Sequence, residues 1–529
     1  MKLSMKMKCL LAVGVLSVVL AGCNRSSTEM DHSQMDHSSM QSNKTKDSEI
    51  PVRSTVIPTI LSGREINLTA MASNQEIAPG VTTPVWTFNN MVPGPQIRVK
   101  QGDTVKVNLK NELPVPVSIH WHGYPVPNNM DGIPGVTQNA VKPGETYTYE
   151  FKATVPGTYW YHSHQDSVNQ VDRGLYGTLV VEGPNDDKVD RDYTLVLDEW
   201  VSNGTGMSGM DMSSDMSGMD HSQMNMDSSA SNHSNAPMEH DMNMYDVFTI
   251  NGKSGSLIEP LTVKEGDKVR LRLINAGYLP HRIHLHGHEF KVVATDGQPI
   301  NNPGILKDSI VSIGPGERYD LEFTANNPGQ WLIEDHSASP FASGMRAVIA
   351  YEGSSASADI SNAMEELPVV DLAIYGQTGQ NTFNLNQKFD HEYTMELNTT
   401  TKNDATLYTI NGKSSPETDP LHVKKGDTVK VRLKNKSPDV DHPMHLHGHF
   451  FQVLSKNGKS FTGSPVMKDT LNIKPGEEYI VAFKADNPGN WMFHCHELHH
   501  ASAGMVTELK YSDYQSNFTA DPSAGNKPE

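Results

Sequence analysis

The chain has 529 residues, with 62 Asp and Glu against 43 Lys and Arg, for a formal charge of −19. That length calls for three or more domains rather than one. The acidic balance argues against nucleic-acid binding and against docking on anionic lipid, and it focuses cations.

Lys2, Lys6 and Lys8 precede the apolar run from Cys9 to Leu20, which is too short to span a bilayer, so residues 1–22 read as an export signal. The run closes in Leu20-Ala21-Gly22-Cys23. This resembles the processing box of bacterial lipoproteins, which implies cleavage before Cys23 and a lipid on its sulfur. An ordinary secretion signal followed by a chance cysteine is the alternative. Cys9 then leaves with the signal, Cys23 carries lipid, and Cys495 has no disulfide partner. Loss of the signal's three lysines takes the mature chain to near −22.

Residues 23–54 form a linker containing Met30-Asp31-His32-Ser33-Gln34-Met35-Asp36-His37. Its Ser, Asp, Asn and Met mixture lacks the branched and aromatic residues needed for a core, so disorder is expected. Three related domains follow, at 55–185, 186–360 and 361–515, before a tail at 516–529. Asn251-Gly252-Lys253-Ser254 recurs as Asn411-Gly412-Lys413-Ser414, and Asn327-Pro328-Gly329 as Asn487-Pro488-Gly489, offset by 160 residues. A weaker copy, including Gln101-Gly102-Asp103 and Pro143-Gly144-Glu145, opens the series. Each copy holds an alternating strand: Thr104–Leu109, Lys268–Leu273 and Thr428–Leu433. Pro-Gly and Gly-Asp turns punctuate these, and no long segment has helical periodicity. The fold class is therefore all-β, built of antiparallel Greek-key sandwiches. The second domain carries an insert at 203–245, low in complexity and rich in Met and His, whose thioethers and imidazoles suit Cu(I). A plain spacer is the other reading of it.

The chemistry sits in four histidine motifs. His120-Trp121-His122 and His162-Ser163-His164 each put two imidazoles on one face of an extended segment. His442-Pro443-Met444-His445-Leu446-His447 follows, and then His494-Cys495-His496 with His500 and Met505. A thiolate, two imidazoles (His442 and His500) and a weak axial thioether are the ligands of a blue electron-transfer copper. On a strand, His494 and His496 point away from Cys495, so one short bonded path can join two metal sites.

These ordered motifs resemble the three-domain multicopper oxidases, the family of laccases, ascorbate oxidase and bacterial cuprous oxidases. The resemblance covers His120 to Met505 and implies cupredoxin-like domains and four coppers per chain. By it, His442, Cys495 and His500 hold the type 1 copper, with Met505 axial. His120 and His445 hold the type 2 copper. One type 3 copper takes His122, His162 and His496, and the other takes His164, His447 and His494. Cys495 also carries electrons to the cluster, where O2 is reduced to water. Asp131 lies where the family often has an acid near that cluster and is the candidate proton donor; a turn residue in Met130-Asp131-Gly132 is the other reading. Some bacterial relatives carry glutamate after the last type 1 histidine, whereas this chain has Ala501.

In the second domain His281, His284, His286 and His288 match His442, His445, His447 and His449, but Asp335 replaces the cysteine. No blue copper is expected there. Of the two remaining readings, retained strand histidines without copper is preferred over a divergent metal site at His284, His286 and His336. Cu(I) is the expected substrate, given the Met-rich tracts, the acidic charge and the surface anchor. Asp439, Asp441 and Met444 form a candidate approach site for it beside His442, with a solvated turn around Pro438 and Pro443 as the other reading. A laccase acting on phenols and aromatic amines is the second choice, and a copper-sequestering lipoprotein is the non-enzymatic one. A monomer is expected.

Overall fold

A computed structural model describes residues 52–53, 59–184, 186, 188–202, 244–354, 366–380, 382–402 and 405–529. The signal, Cys23, the first Met-rich tract, residues 203–243 of the insert and the joint near residue 360 lie outside the described residues. Six sheets occur among those described, two for each sequence repeat. In the third pair, Thr428–Asn435 alternates buried and partly exposed residues as its sequence requires, putting Val429, Val431 and Leu433 into the core. Each such fully buried side chain contributes about 1.5–3 kcal/mol. One core cluster fills the first pair of sheets, around Leu68, Val107 and Trp121. A larger one is continuous through the second and third and takes in Leu271, Leu433, Cys495 and Met505.

The sheets are mixed rather than purely antiparallel. Glu65–Ala78 runs parallel to Thr104–Asn111, Arg191–Trp200 to Lys268–Asn275, and His391–Lys402 to Thr428–Asn435. A parallel neighbour requires a long crossover rather than a hairpin, and apolar alternation reports which face is buried without reporting direction. The middle repeat also breaks its own pattern. Arg272 should face water, yet it is buried because the first repeat covers it: it meets Asp192, Asp320 and the hydroxyl of Thr158. No described helix is long and apolar enough to cross a membrane.

Candidate metal centres

The strand Asn490–Cys495 lies between His442–Leu446 and Val506–Tyr511, with Met444 opposite Cys495 and His445 opposite His494. Successive side chains leave on opposite faces. Cys495 Sγ is 3.8 Å from His442 Nδ1 and 3.6 Å from His500 Nδ1, and the two nitrogens are 3.2 Å apart. His500 reaches this point because the short helix Leu498–Ser502 starts at once, its first turn capped by the Glu497 carboxylate. The far nitrogens are held too: His442 Nε2 by Ser437 Oγ at 2.8 Å and His500 Nε2 by Glu497 Oε2 at 3.1 Å. Met505 is fully buried, and its carbonyl accepts the Cys495 N–H at 3.0 Å. Burial pushes the Cys495 thiol well up, and burial with the neighbouring His500 pulls His442 down to about 2. The imidazoles therefore keep free lone pairs, and the thiol yields its proton only to a cation.

On the other face, His494 and His496 enter a cluster with His120, His122, His162, His164, His445 and His447. All eight rings are at most 2% exposed. His494 lies 5.4 Å from His164 and 5.1 Å from His447 between ring centres, and His496 lies 4.5 Å from His122 and 5.3 Å from His162. The outward nitrogens are anchored. Nδ1 of His120, His162, His164 and His494 faces the carbonyls of Asp131, Ser163, Pro528 and Cys495 at 2.8–3.0 Å. That fixes the tautomer and turns the Nε2 lone pairs inward. Nε2 of His120, His162, His164 and His445, and both ring nitrogens of His496, lack any hydrogen-bond partner. Burial, reinforced by the neighbouring imidazoles, holds His122, His162, His447, His494 and His496 well below the usual histidine range. A buried orphan nitrogen costs about 1–3 kcal/mol, and so many converging ones fit metal ions rather than protons.

Carboxylates surround the cluster. Asp131, 1% exposed, has Oδ1 at 3.1 Å from His120 Nδ1 and Oδ2 at 3.1 Å from His447 Nδ1. It is also a turn residue: Gly132 has φ +81°, and a Cβ there would lie 1.7 Å from the Ile119 carbonyl oxygen. The turn at Asp131-Gly132 therefore sets the carboxylate beside two cluster histidines. Asp469, missing from the sequence reading, lies 3.4 Å from both His122 Nε2 and His445 Nδ1 and holds Arg318 in two bonds of 2.7 and 2.6 Å. Burial would raise its pKa, but the Arg318 guanidinium holds it well below the usual range. Lys468-Asp469-Thr470 repeats Lys307-Asp308-Ser309, a signal that was present but carried no histidine to draw attention. Arg318→Met is expected to cost about 3–5 kcal/mol, because it strands a buried charge; a thermal melt unchanged from wild type would contradict the pairing. The tail is also at the site. Glu529 Oε1 is 3.3 Å from His164 Nε2 without forming a hydrogen bond to it, and burial pushes that carboxyl up to about 8.

The second repeat keeps the scaffold of the cysteine site without its chemistry. Asp335 N donates to Met345 O at 3.1 Å, as Cys495 N does to Met505 O. His281, however, sits between Asp335 Oδ2 at 3.1 Å and Glu199 Oε2 at 3.2 Å. Burial would lower its pKa, but the two carboxylates raise it to about 10, which favours a proton on His281 over a metal ion. The expected approach site beside His442 is not assembled. Met444 is fully buried in the core, and Asp441 is half-buried and held by Asn472 at 2.8 Å. Acidic groups gather instead around the helix Leu498–Ser502. Glu497 binds His499 Nδ1 at 2.6 Å, and burial raises Asp172, which acts on His499, to about 6.

A thiol site and an eight-imidazole site joined through one strand of a cupredoxin-like sandwich define a copper redox protein. Three family models described as multicopper oxidase match, over residues 70–186, 208–354 and 383–515. The chain is 32% identical over 468 residues to the multicopper oxidase MmcO of Mycobacterium tuberculosis, covering 85% of this chain and 88% of that one. It is 30% identical over 477 residues to Laccase-1 of Botryotinia fuckeliana, covering 82% and 80%. The solved multi-copper oxidase from Pseudomonas Thermotolerans superposes with a TM-score of 0.62 at 27% identity, covering 86% of this chain and all (100%) of that one. The chain belongs to the multicopper oxidases. It is an oxidoreductase with one type 1 copper, one type 2 copper and a type 3 pair, and it couples substrate oxidation to the reduction of O2.

Proposed function

We propose that this enzyme oxidises Cu(I). His442, Cys495 and His500 would hold the type 1 copper, with Met505 as a further, weaker ligand. His120 and His445 hold the type 2 copper, and the type 3 pair takes His122, His162 and His496 on one side and His164, His447 and His494 on the other. Two of these sets, His442 with Cys495 and His500, and His164 with His447 and His494, offer ligand atoms within 4.8 Å of one another, and orphan nitrogens on His120, His122, His162, His445 and His496 support metal ligation by the rest. Bound there, copper supplies one-electron acceptance at Cys495 and four-electron reduction of O2 to water among the eight imidazoles. The chain's part is to orient lone pairs, exclude water, join the two sites through the Cys495 backbone and deliver protons.

One observation carries the substrate: Glu497 binds His499 and the His500 ligand, and Asp172 acts on the same His499. Negative charge at this edge attracts a small cation, whereas a phenol gains little from it. The Met-rich insert departs and returns beside the same acidic groups, since Tyr245 donates to Asp172 at 2.9 Å and Ser202 is tied to Asp246 at 2.7 Å. Its thioethers and imidazoles gather Cu(I). Deleting residues 207–243, which spares Met244 and Tyr245, is expected to raise KM for Cu(I) severalfold with all four coppers retained. A bulky phenol should be oxidised as fast or faster. Unaltered Cu(I) kinetics would instead favour the laccase reading, which the likeness to Laccase-1 also supports. The signal and the Leu20-Ala21-Gly22-Cys23 box support the reading that the enzyme is exported and anchored by a lipid on Cys23.

Asp131 relays protons to the cluster from its seat between His120 and His447. Asp131→Asn keeps the shape and loses the acid, so kcat is expected to fall about a hundredfold or more, the scale of general acid catalysis. Copper content and blue colour should remain. An unchanged rate across pH would leave Asp131 with the turn alone.

A further inference from the structure

The second repeat holds a cluster that the four coppers do not use. His284, His286 and His336 stand at the places of His445, His447 and His496, and Glu334 stands where the third repeat has His494. The strand pairing is the same in both: His284 lies opposite Glu334, as His445 lies opposite His494. From sequence alone, retained strand histidines without copper are preferred here over a divergent metal site. The geometry points to a different reading. We propose that His284, His286 and His336, with Glu334 as carboxylate ligand, form a fifth metal site that takes one divalent transition-metal ion of the Zn2+ or Cu2+ type.

The three imidazoles offer nitrogens that all lie within 4.8 Å of one another. Ring centres are 4.1 Å apart for His284 and His286, 5.0 Å for His284 and His336, and 5.4 Å for His286 and His336. Glu334 Oε1 lies 2.9 Å from His286 Nε2 and 3.4 Å from His336 Nε2. Arg346 Nε holds the other carboxylate oxygen at 2.5 Å, so Oε1 is fixed towards the rings. The decisive observation is His284. It is 5% exposed, and neither of its ring nitrogens has a hydrogen-bond partner. A buried imidazole without any partner is expensive as a plain core residue, and an ion among the three rings would satisfy it.

The ligand chemistry selects the class of ion. Three imidazoles and one carboxylate suit Zn2+ and Cu2+, whereas Ca2+ and Mg2+ require oxygen sets and Cu(I) favours sulfur, which is lacking in this ligand set. His286 and His336 are 14% and 12% exposed at their side chains, so the site opens to solvent and can exchange its ion. The eight-imidazole cluster is sealed by comparison.

The test uses the full-length, four-copper protein dialysed against Zn2+ alone, with zinc and copper counted per chain. His286→Ala and, separately, His336→Ala are expected to bind one Zn2+ fewer than wild type, and Glu334→Gln to bind it more weakly. Copper content and blue absorption should match wild type in all three, which also shows that they fold. Counting against wild type cancels any zinc held by histidines of the Met-rich tracts. Equal zinc in wild type and in both alanine variants would overturn the proposal. A second measurement needs no variant. Co2+ added to the anaerobically reduced wild-type protein should give the visible bands of a tetrahedral site, and Zn2+ should displace them. Absence of those bands would overturn it as well.

Discussion

Cys495→Ser is expected to abolish the intense visible absorption and O2 consumption together. Cys495 is the one free cysteine among the described residues, it is fully buried, and its sulfur lies within 4 Å of two imidazole nitrogens. A serine hydroxyl is harder and far less acidic, so it replaces neither the charge-transfer partner nor the soft ligand. Loss of one member of a catalytic unit costs about as much as loss of the whole, here ~10^3-fold or more in turnover. The eight imidazoles on the other face do not depend on the sulfur, so the cluster should still fill with copper. Retention of strong blue colour in the variant would remove the type 1 assignment.

His162→Ala separates the two centres from the opposite side. His162 Nδ1 is anchored on the Ser163 carbonyl at 2.8 Å, and Nε2 faces the cluster without a partner. Truncation removes one ligand and leaves a cavity against Trp160, whose ring centre is 4.4 Å away, at a cost of a few kcal/mol. The Cys495 site shares no ligand with it. The expected result is a blue protein, reducible by substrate, that binds fewer than four coppers and no longer reduces O2 to water. Four-electron turnover at the wild-type rate would show that the division of ligands is wrong.

The reach of the sequence can be judged from particular residues. The four histidine motifs were legible because their ligands come in local pairs, two residues apart on a strand or beside Cys495 on a short helix. Their supports were not. Asp469 meets Arg318 across 151 residues, and Pro528 meets His164 across 364. Such contacts leave no local spacing to detect. Alternation in Lys268–Asn275 correctly announced a strand, but Arg272 is buried by a neighbouring repeat that no local pattern reports. Met444 misled for the opposite reason. It lies beside His442 and His445 in sequence, yet the strand turns it into the core. Glu497 is adjacent to the last copper motif and was not singled out, because its hold on His499 and His500 depends on the helix that it caps.

The most direct test of the account counts electrons. With Cu(I) supplied anaerobically and O2 then admitted in limiting amount, the holoenzyme should oxidise four Cu(I) for each O2 consumed and release no peroxide. It should do so faster than with a phenol at the same concentration. Two Cu(I) per O2 with stoichiometric peroxide, or no oxygen uptake beyond that of Cu(I) alone in buffer, would contradict it.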